Sequence, residues 1–138
     1  MSFREKSAWA MGVVILLTGL LLAATVLHIP ANAPAQALVL PLVPYVIAVV
    51  IGSIVVQAAL AIVSPGDAKK PADERERVAI DRAGHWSGVV LGVGVVSGLL
   101  NFLWYGEGQV LFLWCLGALI LAQLAEYVFQ IVLFRRGG

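Results

Sequence analysis

Leu38-Val-Leu-Pro-Leu-Val-Pro-Tyr-Val-Ile-Ala-Val-Val-Ile-Gly-Ser-Ile-Val-Val-Gln-Ala-Ala-Leu-Ala-Ile-Val63 runs for 26 residues without a charged group. A helix rises roughly 1.5 Å per residue, so about 20 residues cross a hydrocarbon core near 30 Å thick. The stretch is long enough to span a bilayer. In lipid the backbone must satisfy its own hydrogen bonds, which selects helix over strand. Pro41 and Pro44 fall near its start, where a missing N–H would be unpaired anyway, and Pro44 is placed to kink that end. Ser53 and Gln57 are its polar interior side chains.

Three further apolar runs flank this one: Ala8–Leu27, His85–Tyr105 and Val110–Phe134. The 138 residues are 61% hydrophobic and 12% charged, with a mean hydropathy of +0.96. Soluble domains carry about a quarter charged residues, so a water-soluble protein is excluded. The four spans consume most of residues 1–138, and a single all-α transmembrane domain is expected. Arg4 and Lys6 followed by an apolar stretch imitate a secretory signal. The run to Leu27 exceeds the roughly 7–15 residues of a signal core, so it reads as a true first span. Trp9, Tyr45, Trp86, Trp104, Tyr105 and Phe134 mark span ends, where aromatic rings favour the headgroup region.

All nine Lys and Arg fall on one side of this pattern. Arg4 and Lys6 precede the first span; Lys69, Lys70, Arg75, Arg77 and Arg82 separate the second from the third; Arg135 and Arg136 follow the fourth. The connections at 31–37 and 106–109 carry none. Basic loops stay in the cytoplasm, which predicts both termini and the middle loop inside. Short outer connections make the spans two antiparallel hairpins. A net charge of +1 gives no reason to expect nucleic acid.

In the middle loop, Ser64-Pro65-Gly66 ends the second helix. Asp73 with Glu76 then has the form of an N-capping pair. Asp73, Arg77, Asp81 and His85 follow at intervals of four, alternating acid and base along one side. A short cytoplasmic helix is expected to start near Asp73 and lead into the third span. Glu74 and Arg75 complete its first turn. Residues 64–84 hold five basic and five acidic groups, and that neutrality disfavours a polybasic lipid-binding segment. A solvated helix extension and a docking site for a cytoplasmic partner are both open.

Gly88 and Gly92, and again Gly94 and Gly98, are four apart on the third span. Such spacing lets another backbone approach closely, within the chain or between copies of it. Glu126 is the one acid well inside a span. A charge at bilayer centre costs at least about 2.5–3.5 kcal/mol, so its carboxyl must be protonated, hydrogen-bonded, paired or in contact with water. Gln123, Glu126 and Gln130 form one stripe, and counting depth from the cytoplasm brings Gln57, Ser53 and Thr18 to a similar level. The cluster reads as interhelical hydrogen bonding, as a proton or cation site, or, least well supported, as a catalytic carboxylate. No nucleophile–base pair, phosphate loop or metal-ligand spacing accompanies it. The single Cys115 excludes an intrachain disulfide. His28 and His85 belong to opposite faces and cannot share a metal or haem, and no cofactor is expected.

Asp73-Glu74-Arg75, Ile80, Gln130 and the closing Arg135-Arg136-Gly137 resemble small, uncharacterised four-span bacterial membrane proteins. Those carry an Asp-Glu-Arg run with a downstream Ile after their second helix, and end in Arg-Arg-Gly. The resemblance covers the second half of the chain and implies a bacterial inner membrane, with no activity attached. A likeness to small multidrug transporters rests on size and span number alone, because the essential acid of their first helix is missing here. The resulting expectation is a homo-oligomeric, non-enzymatic transporter or channel for protons, cations or small solutes centred on Glu126. The alternative is an accessory or assembly subunit, holding a cytoplasmic or membrane partner through the glycine face of the third span and the charged loop.

Overall fold

The computed structural model describes residues 2–30 and 32–137. It is all-α, and four of its helices are long and apolar enough to cross a membrane. Helix α1 (Phe3–Leu27) starts five residues before the apolar run, because the Ser2 hydroxyl accepts the Glu5 N–H at 3.1 Å and caps it. A 3-10 turn at Ala35–Leu38 leads into α2 (Val39–Val63), which continues through Pro44. Ala31, in the connection between them, lies outside the described residues. Ser64 leaves helical geometry, and Pro65 at once opens the one-turn α3 (Pro65–Ala68). Proline's fixed φ suits a first helical position, so the expected stop is a break between two helices.

Helix α4 (Glu74–Tyr105) is the longest element at 32 residues, and the charged segment and the third span are one continuous rod. Its start is a capping box. Asp73 Oδ1 accepts the Glu76 N–H at 2.8 Å, and Glu76 Oε2 accepts the Asp73 N–H at 3.3 Å. It stops at Gly106, whose φ of 70° is the left-handed geometry of a helix C-cap, with its N–H on the Phe102 carbonyl at 2.7 Å. Only Gly106 and Glu107 separate α4 from α5 (Gly108–Gly137). At 1.5 Å per residue α4 is about 48 Å long, more than is needed to cross a hydrocarbon core near 30 Å.

Two compact units result, Met1–Lys70 with α1, α2 and α3, and Pro71–Gly138 with α4 and α5. In the first, α1 buries Ala8, Met11, Ile15 and Leu22 along one stripe, while no residue of α2 is buried. Gly52 of α2 sits opposite Val14, close enough that a Cβ there would come within 3.3 Å of the valine. In the second unit the helices approach much more closely. A Cβ on Gly94 would lie 2.6 Å from that of Ala118, and one on Gly98 would lie 2.9 Å from that of Trp114. Further along the same register, Ala79, Ala83 and Ala122 are buried, and Arg75 Nη1 reaches the Gly137 carbonyl at 3.4 Å. Every step along α4 is matched by an equal step back along α5. Small residues allow this approach, which is how helices associate where lipid removes the hydrophobic drive between them.

Candidate intramembrane polar site

Working inward from the Gly94–Ala118 contact by eight residues on each strand of the hairpin puts Glu126 of α5 level with Trp86 of α4. Its carboxylate is half-buried. Gln130, one turn on, donates from Nε2 to Glu126 Oε1 at 3.3 Å. This is the only hydrogen bond of the Glu126 side chain among the described residues. Gln123, one turn back, is exposed. The helix therefore gathers an acid and two amides on one side, with a single amide serving the acid. Tyr127 follows directly and is partly covered. His85 rests edge-on against its neighbour Trp86, ring centroids 6.1 Å apart, and makes no hydrogen bond with Gln130 or Glu126.

The remaining polar residues belong to the first unit, and each has a hydrogen-bond partner there. Thr18 Oγ1 donates to the Val14 carbonyl at 2.7 Å, and Ser53 Oγ to the Val49 carbonyl at 2.6 Å. Both hydroxyls are spent on their own helices, a bonding pattern open to Ser and Thr wherever four residues make a turn. Gln57 donates from Nε2 to Ser7 Oγ at 2.8 Å, joining α2 to α1. Gln57 is thus level with Ser7, eleven residues and about 16 Å of helix from Thr18, so the two do not share a depth. Counting residues from the cytoplasm missed this because α1 begins before its apolar run. Ser7 is the one polar partner sequence reasoning overlooked. Its signal was a hydroxyl at the charged end of α1, where it reads as solvated.

The two glycine pairs of α4 part ways. Gly94 and Gly98 pack on α5, whereas a Cβ on Gly88 or Gly92 would meet nothing within 4 Å. In the charged segment, Asp73, Glu74, Arg75, Arg77 and Asp81 are all exposed. Among the described residues no ion pair joins Asp73, Arg77, Asp81 and His85; the i, i+3 pair Lys70–Asp67 forms instead, at 3.4 Å. Asp73 is occupied by the helix cap, which removes the first member of the alternating series. The first unit also holds an open, mostly apolar groove of about 540 Å³ between the non-basic ends of α1 and α2, lined by Leu21, Leu22, Leu40 and Pro44 with His28 and Tyr45 at its polar points. The His28 ring is tied to the Ala24 carbonyl at 2.6 Å. No protein-family model, curated protein or solved structure matches the chain.

Proposed function

We propose that the protein is a homo-oligomeric bacterial inner-membrane protein that passes protons, cations or small solutes across the bilayer, with Glu126 at the centre of its polar intramembrane site. The observation that carries this reading is the half-buried Glu126 carboxylate, inside a span and served by one amide. Level with Trp86, Glu126 sits toward the charged end of its span, and its one amide partner leaves the carboxylate partly open rather than fully paired. One free oxygen leaves room for a proton, a cation or water. Gln130 holds the carboxylate in place, and Gln123 extends the polar face toward a neighbouring copy. Four helices do not enclose a wide pore, which is why several copies are invoked. The one-sided distribution of Lys and Arg supports an orientation with both termini and the 64–84 segment in the cytoplasm.

The test is flux into vesicles reconstituted with wild type or Glu126→Gln. The substitution keeps the shape and the hydrogen bond to Gln130 while removing the charge. Flux is expected to vanish with helical content unchanged. Equal flux for the two proteins would refute the transport reading.

A second reading has its own observation. Gly88 and Gly92 form an open face on α4, continuous with an exposed charged segment, as an accessory subunit holding a partner would require. Reversing charge at Arg75 and Arg77 should then release a protein that co-purifies in mild detergent. Absence of any such protein counts against it.

A further inference from the structure

The 64–84 segment is neutral in sequence, but the fold does not leave it neutral in space. At the basic end of the second unit, α4 and α5 enclose an open groove of about 800 Å³. Arg75 and Arg82 of α4 and Arg136 of α5 line it, with Glu74 as its one acid and Val78 and Leu133 as apolar floor. The other acids of this region are directed elsewhere. Asp73 and Glu76 are engaged in the helix cap, and Asp81 is exposed outside the groove. Among the described residues that line the cleft, three guanidinium groups face one carboxylate, an excess of two positive charges. Arg75 reaches the Gly137 carbonyl at 3.4 Å, while Arg82 and Arg136 make no ion pair among the described residues.

We infer that this groove binds the headgroup of an anionic phospholipid. Guanidinium groups match phosphate oxygens in shape and charge. The apolar floor suits the upper part of an acyl chain, which a water-soluble anion would leave unused. The position fits too. Arg82 is one turn before Trp86, an aromatic residue of the headgroup region, and α4 is long enough for Arg75 to stand beyond it. Basic pockets between helices at the cytoplasmic surface are known to hold such lipids. Pooling residues from two helices creates the pocket, so no single stretch of sequence needs to be polybasic. The assignment is independent of the role of Glu126.

The experiment is native mass spectrometry of the full-length protein released from mixed vesicles of phosphatidylglycerol and phosphatidylcholine. Wild type should retain phosphatidylglycerol preferentially. Each arginine replaced by Gln at 75, 82 or 136 should weaken retention about fivefold, and the triple variant about a hundredfold. Arg77→Gln removes the same charge from the same helix outside the groove, and should retain the lipid as wild type does. Circular dichroism of each variant controls for folding. The assignment is overturned if Arg77→Gln loses as much lipid as Arg82→Gln, or if phosphatidylcholine is held equally well. It is likewise overturned if inorganic phosphate alone displaces the lipid stoichiometrically, since the site would then be a simple anion site.

Discussion

The two hairpins are built from similar apolar material and packed in different ways. In α4 and α5, Gly94, Gly98, Ala79, Ala83, Ala118 and Ala122 bring the backbones together along one register. In α1 and α2, only α1 buries side chains among the described residues, and a side-chain hydrogen bond from Gln57 to Ser7 crosses between the helices. Leu and Val covering α2 gain nothing by leaving lipid for another helix, because lipid tails are equally apolar. Small residues do gain, through close van der Waals contact that lipid cannot supply. The second hairpin is thus a self-sufficient packing unit, and the first presents most of α2 to whatever surrounds it.

The largest effect should come from overfilling the tight contact. Gly94→Leu places a side chain where even a Cβ would lie 2.6 Å from that of Ala118. It should destabilise the second hairpin by about 3 kcal/mol, at the upper end of overpacking costs. Unfolding in increasing denaturing detergent, followed by the fluorescence of Trp104 and Trp114, reads this directly. A loss confined to the first hairpin would reverse the comparison. Gly106→Ala should cost about 1 kcal/mol in the same assay, because its φ of 70° crowds a Cβ.

A smaller effect is expected in the first hairpin. Gln57→Leu should cost about 0.6 kcal/mol, the average for a hydrogen bond between membrane helices. Ser7→Ala should add little on top of it. Additive losses would show that the pair does not act as one bond. Smallest of all, Gly88→Ala and Gly92→Ala should leave hairpin stability within about 0.5 kcal/mol, as surface changes do. A loss as large as that of Gly94→Leu would mean that this face also packs tightly.

Much of this architecture was legible in the residues. The four apolar runs, the Asp73–Glu76 cap and the short link at Gly106–Glu107 are local features, and the structure forms each of them. The glycine pairs were not separable by eye. Gly88/Gly92 and Gly94/Gly98 are six residues apart, which turns them about 120° around the helix, so only one pair can face α5. The clue was Ala79 and Ala83, which share the face of Gly94 and Gly98. The Glu126–Gln130 pair followed from their spacing of four. The level of Gln57 did not, because depth depends on where a partner helix begins, and a Ser2 cap outside the apolar run sets that for α1. The arginine groove was hidden by charge counting along the chain, which cannot see that Arg136 returns to lie beside Arg75 and Arg82.

Whether water reaches Glu126 decides between a working acid and a structural one. In a Cys115→Ser background, Glu126→Cys can be challenged in intact membranes with a membrane-impermeant thiol reagent. Rapid labelling, with Leu121→Cys in the same background remaining unreacted, is the result predicted here. Equal protection of both cysteines would place residue 126 in a dry contact and contradict the proposed passage of ions or solutes.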